Sequence, residues 1–292
     1  KKISVLLRMN MMEEAKEAVE ELLRNDPELY DGYHMKTAIL LEEKKYPEAI
    51  LCAKEAAERF PDDADLMYDY ANATALSGAY EQALQIVSNA KQMKYFEDAK
   101  ARFCFLESEI CAELGNMDRA IEKCDECISL ETEQDFFSDA RFMRINLALA
   151  KNDFESALQH AEQFIEKGAR DSYYYAALYF RPFCLSKLGK EEAAEKYYKE
   201  AISLYRMATL QNLEVFDAYL YRAMCLKEIR QYEEALKLLE FIENMSNQIA
   251  EVHTIRADVY KLTGKEGLAK EELEKAFQLK PELKAVYSEG GE

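Results

Sequence analysis

Apolar residues recur at steps of three and four along most of the chain. In the segment that begins at Tyr46 they fall at Ala49, Ile50, Ala53, Ala56, Ala57 and Phe60. This spacing places them on one face of an α-helix, because about 3.6 residues complete a helical turn. The pattern predicts a series of short amphipathic helices.

A small residue marks every second predicted helix. Alanine recurs at intervals of 34 to 41 residues, at Ala15, Ala49, Ala83, Ala120, Ala157, Ala194, Ala235 and Ala269. Five residues before it stand Gly78, Gly115, Gly189 and Gly264, with Asn152 in the same column. Twelve residues after it stand Pro27, Pro61 and Pro281. Because different residue types keep one register, we interpret the chain as a tandem repeat.

Each column has a physical reason in a pair of antiparallel helices. Glycine takes the left-handed conformation that ends a helix, the alanine lets two helices approach closely, and proline stops the second helix. Four intervals exceed 34 residues. We expect helices longer by about one turn in three of these repeats and by about two turns between Ala194 and Ala235. We also expect Pro182 to kink the helix that contains it.

These columns resemble those of tetratricopeptide repeat proteins. The resemblance implies an all-α fold, an α-α superhelix or solenoid of about eight helix-turn-helix repeats. The predicted repeats span residues 1–29, 30–63, 64–97, 101–134, 138–171, 175–208, 216–249 and 250–283. Residues 282–292 are predicted to form a short C-terminal cap and a tail that is mobile from Ser288 onward.

In similar proteins the first helix of each pair lines a concave face where ligands lie. Counting back from the alanine places many aromatic residues on this face, together with asparagines that can bond a peptide backbone. The predicted peptide- or protein-binding residues are Tyr68, Asn72, Phe105, Phe142, Asn146, Tyr179, Phe183 and Tyr221. The alternative is that these side chains pack between neighbouring repeats, or that the termini of the array fill the groove.

Net charge and cysteine content indicate which class of partner and which cellular compartment to expect. The chain has 56 acidic and 38 basic residues, a net charge of −18, so we expect neither nucleic acid nor an anionic membrane as partner. No apolar run approaches the roughly 20 residues that span a bilayer. Seven unevenly spread cysteines favour free thiols in a reducing cytoplasm, which we expect to be bacterial.

Two groups of residues resemble metal or catalytic sites. Four cysteines fall in one predicted helix pair and could hold zinc: Cys104, Cys111, Cys124 and Cys127. Aliphatic residues fill the same columns elsewhere, which favours packing as small hydrophobic groups. The three histidines, His34, His160 and His253, fall in different repeats. No phosphate-binding loop or nucleophile motif occurs, so we expect no catalytic residue, no metal and no cofactor.

The function expected from these features is a protein–protein interaction scaffold or adaptor. It would bind a peptide or a partner helix in an aromatic-rich concave groove. The alternative is a regulatory or sensor module of a longer signalling, transcription or co-chaperone protein, because the sequence opens at Lys1 without Met. Self-association through the apolar ends of an open array is a further option.

Overall fold

The computed structural model describes residues 11–132, 135–167, 172–212 and 215–289, together with Ile3, Val5, Leu6 and Met9. Every regular element in these ranges is helical, which confirms the all-α fold class. The chain divides into two compact units, which we name unit 1 (Lys1–Ala140) and unit 2 (Arg141–Glu292).

Unit 1 holds one helix followed by three helix pairs. The helices are α1 (Met12–Asn25), α2 (Tyr30–Glu42), α3 (Tyr46–Arg59), α4 (Ala64–Leu76), α5 (Tyr80–Ala90), α6 (Phe96–Glu113) and α7 (Met117–Ser129). Each helix packs against the next along the chain, and the first helices α2, α4 and α6 also pack against one another in series. Helix α8 (Ser138–Ala150) begins at the end of this unit.

Unit 2 continues the same arrangement. Its helices after α8 are α9 (Phe154–Lys167), α10 (Ser172–Lys187), α11 (Glu191–Gln211), α12 (Phe216–Glu228), α13 (Tyr232–Met245), α14 (Ala250–Leu262), α15 (Glu266–Leu279) and α16 (Leu283–Glu289). The first helices α10, α12 and α14 pack in series. The short helix α16 lies against α15, with the rings of Phe277 and Tyr287 6.1 Å apart.

The recurring alanines are buried in both units. None of the eight is more than 1% exposed, which confirms the prediction that each fills a tight contact. In the pair α6–α7 the hydroxyl of Ser108 donates to the carbonyl oxygen of Ala120 at 2.7 Å, so the two helices approach closely at the alanine. A larger side chain at this column would force such a pair apart.

The turn between the two helices of a pair has a left-handed residue in every described repeat. Its φ is positive at Lys44, Gly78, Gly115, Asn152, Gly189, Arg230 and Gly264. At Lys44 the next N–H, that of Lys45, bonds the carbonyl oxygen of Leu40 at 2.8 Å, which closes the end of α2. The glycines and the asparagine were predicted at this column. Lys44 and Arg230 show that the turn imposes the conformation even on residues that disfavour it.

The extra residues of the long intervals lie partly where predicted. Helices α6, α10 and α11 have 18, 16 and 21 residues, whereas most others have 13 or 14. The prediction was wrong between Ala120 and Ala157, where the extra residues fall in the connection after α7. There the Glu131 carboxylate accepts the N–H of Phe137 at 2.8 Å, a side-chain bond that competes with helical hydrogen bonding.

Two further expectations concern single segments. Helix α10 continues through the buried Pro182, and the kink expected there stays a prediction. Helix α16 runs to Glu289, and the mobility expected from Ser288 onward stays a prediction. Residues 290–292 lie outside the described residues.

Candidate functional site

The first helices of unit 2 bring four of the predicted binding residues together. Phe142 on α8, Tyr179 and Phe183 on α10 and Tyr221 on α12 belong to one chain of contacting rings, which we name the aromatic cluster. Phe180 links Phe142 to Tyr179, with ring centroids 6.2 Å and 5.9 Å away. Tyr179 lies 5.8 Å from Phe183 and 5.9 Å from Tyr221.

Tyr179 lies at the centre of the aromatic cluster and is only 5% exposed. Its hydroxyl donates to the Glu228 carboxylate at 3.4 Å, and burial raises the pKa of this phenol well above its usual range. The expectation that Tyr179 stands on an open wall is therefore wrong. Phe142, Phe183 and Tyr221 are half-buried and leave part of each ring for a ligand.

The aromatic cluster rests on two buried tyrosines of α11. Tyr205 is fully buried, and its hydroxyl donates to the carbonyl oxygen of Tyr175 at 2.7 Å. Its ring lies 6.3 Å from that of Tyr221. Tyr198 packs 6.2 Å from Tyr179. Packing between neighbouring repeats, the alternative weighed from the sequence, thus accounts for Tyr179 and for the inner edge of Tyr221.

An open cavity of about 530 Å³ adjoins the aromatic cluster at Tyr221. We name it the α12–α14 pocket, because these two first helices form its sides. Its lining consists of Phe216, Asp217, Leu220, Tyr221, Met224, Ser246, Ile249, Glu251 and Ile255. A cavity of this size falls within the roughly 300–1,000 Å³ of typical ligand pockets.

The predicted residues of unit 1 do not form a comparable cluster. Tyr68 is half-buried and packs edge-on against the core residue Phe103, with ring centroids 5.6 Å apart. The guanidinium of Arg102 lies 4.1 Å from the centre of the Tyr68 ring and pairs with Asp65. Phe105 instead lines a separate cavity of about 420 Å³ beside Phe136 and Phe137.

The two predicted asparagines differ in their surroundings. Asn72 is half-buried on α4, and Asn146 is exposed on α8. The exposed amide of Asn146 offers both donors and an acceptor to an approaching peptide backbone. Asn146 is therefore the more accessible of the two.

Polar contacts that the sequence reasoning missed occupy the first helices of unit 1. Nδ1 of His34 on α2 lies 2.5 Å from Oδ2 of Asp69 on α4, and this bond raises the pKa of His34. On α6, burial together with the charges of Asp139 and Glu113 raises the pKa of Glu109 to about 7. The sequence contains a signal for the contact between His34 and Asp69, since these residues occupy adjacent columns of successive repeats.

The two units also differ in charge. Residues 1–140 contain 31 acidic and 16 basic residues, whereas residues 141–292 contain 25 and 22, out of chain totals of 56 and 38. Nearly all of the net negative charge therefore belongs to unit 1. Unit 2 is almost neutral as a whole, so a group of carboxylates there makes the charge negative only locally.

The four cysteines considered as zinc ligands lie in the core of unit 1. None is more than 3% exposed, and Sγ of Cys124 donates to the carbonyl oxygen of Ala140 at 2.9 Å. Burial raises the pKa of Cys104 and of Cys127 to about 12, so these thiols are protonated and pack as small apolar groups. Within the described ranges, no group of three or more Cys, His, Asp or Glu is arranged to hold a metal ion.

Models of known protein families identify the family of this chain. Models of the tetratricopeptide repeat match residues 40–101 and, in a second version, residues 101–134, 175–206 and 250–283. These matches together cover more than half of the sequence. The chain belongs to the tetratricopeptide repeat family.

Several solved structures share this fold. A chain of the APC/C hetero-tetramer Cut9–Hcn1 superposes with a TM-score of 0.59 at 15% identity, over 92% of this chain and 50% of that one. A tetratricopeptide repeat protein from Parabacteroides merdae gives 0.54 at 15% identity, over 94% and 96% of the two chains. PilF of Pseudomonas aeruginosa gives 0.56 at 17% identity, over 70% and 89%.

At these identities the likeness establishes the fold alone, and the chain spans half the length of the Cut9–Hcn1 chain it matches. No curated protein has a matching sequence. Tetratricopeptide repeat proteins bind protein or peptide partners and are generally scaffolds rather than enzymes. None of the helices in the described part of this tetratricopeptide repeat protein is long and apolar enough to cross a membrane.

Proposed function

We propose that this tetratricopeptide repeat protein is a scaffold that holds a peptide or a partner helix against the first helices of unit 2. The observation that carries the proposal is the aromatic cluster, in which Phe142, Phe183 and Tyr221 are half-buried and Tyr221 also lines the α12–α14 pocket. Rings already held by their neighbours offer a large contact area at a small cost in entropy. The exposed amide of Asn146 adds a group that can bond the ligand backbone.

The first helices of unit 1 carry a second, more polar candidate surface for ligand binding. Tyr68, Asn72 and Phe105 lie on its first helices, but the charged groups beside them already have partners within the protein. Arg102 is held by Asp65 and by the Tyr68 ring, and His34 is held by Asp69. A ligand at these residues would have to displace these contacts, so we expect unit 1 by itself to bind more weakly than unit 2.

We infer that the partner is a protein and that binding takes place in a reducing cytoplasm. All seven cysteines are free and buried, as expected where disulfides do not form. A net charge of −18 opposes binding to phosphate backbones and to anionic lipid surfaces. We propose no bound cofactor for this function.

Site-specific photo-crosslinking tests this proposal without disturbing the buried rings. The photo-reactive residue p-benzoylphenylalanine replaces Asn146 in unit 2 or Asn72 in unit 1, both on first helices. The matched controls carry it at Leu210 and at Leu51, which are exposed on the second helices α11 and α3. Each variant is irradiated in a lysate of the source organism.

We expect position 146 to give a discrete protein adduct that is absent at position 210, and position 72 to give a weaker one. Replacing Phe142 by Ala in the position-146 variant should reduce the adduct several-fold, because the stacked ring would be lost. Adducts of equal yield at positions 146 and 210, or none at either first-helix position, would contradict the proposal.

A further inference from the structure

The α12–α14 pocket has largely apolar walls, which include one adaptable methionine side chain. Its apolar lining comes from Phe216, Leu220, Tyr221 and Met224 of α12, from Ile255 of α14 and from Ile249 just before α14. Met224 is half-buried and unbranched, so it can adjust its shape around a guest side chain. The walls therefore suit one large apolar side chain, aromatic or long aliphatic.

Two carboxylates stand at the edge of this apolar space. Asp217 is exposed on the first turn of α12, and Glu251 lies on the first turn of α14. Burial, together with the charges of these two nearby residues, raises the pKa of Tyr221 to about 12. Unit 2 as a whole is almost neutral, so this negative charge is local.

The protein itself supplies little positive charge to these carboxylates. Among the described residues, no cation forms an ion pair with Asp217, and only Lys280 pairs with Glu251. The side chains of Lys280 and Glu251 are each more than 40% exposed, and an ion pair of that kind contributes only about 0–1 kcal/mol. An incoming cation can therefore pair with Asp217 directly and compete with Lys280 for Glu251.

We propose that the α12–α14 pocket recognises a basic segment of a partner protein, receiving one of its large apolar side chains while flanking Lys or Arg residues pair with Asp217 and Glu251. The inference rests on the proposed function and specifies the chemistry of the partner. Charge at the rim selects and orients the segment, and the apolar walls supply contact area. Acidic segments are excluded by the same two carboxylates.

Three synthetic peptides serve as probes: GSKRFLKRG, which is basic and apolar, GSEDFLEDG, which is acidic and apolar, and GSKRSSKRG, which is basic without an apolar pair. Fluorescence anisotropy measures the affinity of each labelled peptide for the whole chain in 50 mM and 300 mM NaCl. We expect the first peptide to bind at least about tenfold more tightly than either of the others at low salt. Its affinity should fall at high salt because the exposed charges are screened.

A charge-matched pair of variants locates the binding. Asp217→Asn with Glu251→Gln should weaken the first peptide about three- to tenfold, because both rim charges are removed. The control is Glu233→Gln with Glu240→Gln, which removes two exposed carboxylates of the second helix α13 that line a different cavity, of about 490 Å³. It should change the affinity by less than about twofold, since it alters only distant charge.

Equal affinity for the three peptides, or equal effects of the two variant pairs, would overturn the inference. If the double variant fails to fold, Asp217→Asn alone serves, since this exposed residue forms no ion pair with a described cation. The two proposals fail separately. A photo-adduct at position 146 with no peptide preference removes only the pocket inference, whereas absence of any first-helix adduct removes the proposed function.

Discussion

Units 1 and 2 are built from the same repeat, but the side chains that link their first helices differ in chemistry. The first helices of unit 1 are joined by polar contacts, such as His34 with Asp69 and Arg102 with Asp65. Those of unit 2 are joined by rings at Phe142 with Phe180 and at Tyr179 with Tyr221. One ion pair, Lys227 with Asp258, also links α12 to α14. The buried alanines and the left-handed turns are the same in both.

The comparison shows that the repeat constrains the backbone and leaves the first-helix face free to vary. Polar contacts satisfy one another and leave little unpaired surface for a guest. Aromatic contacts leave the outer edges of the rings uncovered, as at Phe142 and Tyr221. Unit 2 is therefore the better candidate for an apolar ligand, although unit 1 holds most of the charge.

The largest effect expected from one substitution is at Tyr205, the base of the aromatic cluster. Tyr205→Ala should lower the free energy of unfolding by about 3–5 kcal/mol, because it leaves a large cavity beneath Tyr221. The control Tyr205→Phe keeps the ring and loses one hydrogen bond, at a cost of about 1 kcal/mol. Urea unfolding followed by circular dichroism measures both, and equal losses would show that the ring does not support the cluster.

An intermediate effect is expected at Glu107, a buried carboxylate of unit 1. Its oxygens lie 2.8 Å from Nζ of Lys91 and within 4 Å of Arg119 and Lys123. Glu107→Ala should lower the free energy of unfolding by about 2 kcal/mol, since it removes a buried carboxylate and its charge-assisted hydrogen bonds to Lys91. The control Glu113→Ala should cost less than about 0.5 kcal/mol, because this side chain is exposed. A loss at Glu107 no larger than at Glu113 would contradict the polar account of unit 1.

A smaller, pH-dependent effect is expected at Glu109. Its pKa of about 7 in the folded protein, against 4.5 normally, means that the folded state holds the proton more tightly. Stability is then lost as the pH rises from 4.5 through 7. Glu109→Gln should remove this loss and stabilise unit 1 at pH 8 by at most about 1 kcal/mol, since solvent screens the site. Melting temperatures at pH 4.5 and pH 8 test this, and a pH-independent difference would count against it.

The smallest effect concerns a feature that both units share. Lys44→Gly in unit 1 and Arg230→Gly in unit 2 replace residues held at φ 57° and 63°. Each should raise stability by about 0.5 kcal/mol, because relief of the left-handed strain slightly exceeds the entropy that glycine loses on folding. Thermal unfolding should show gains of similar size in the two units. A loss in either variant would show that its side chain holds the turn.

The repeat register could be predicted because it depends on local chemistry. Gly78 and Ala83 each have one physical role, and every copy of the repeat needs that role filled. The loop after α7 could not be placed from interval lengths, because the same number of extra residues fits a longer helix or a longer turn. Side-chain bonds such as Glu131 to Phe137 decide between them.

The candidate site was predictable only in part. Column counting found Phe142, Phe183 and Tyr221, which the fold connects through the rings of Phe180 and Tyr179. It gave Tyr179 the same status as its neighbours, although the longer helix α11 carries Tyr198 and Tyr205 behind it. Exposure depends on what lies behind a residue in three dimensions, and one helix register does not contain that information.

The seven buried thiols give the molecule its own set of stability probes. Five lie in unit 1, at Cys52, Cys104, Cys111, Cys124 and Cys127, and two lie in unit 2, at Cys184 and Cys225, all without a disulfide. A thiol reagent can reach each sulfur only when the surrounding helices separate, so its labelling rate measures how often that repeat opens. Mass spectrometry of peptides after timed labelling would therefore map local unfolding along the chain without an engineered label.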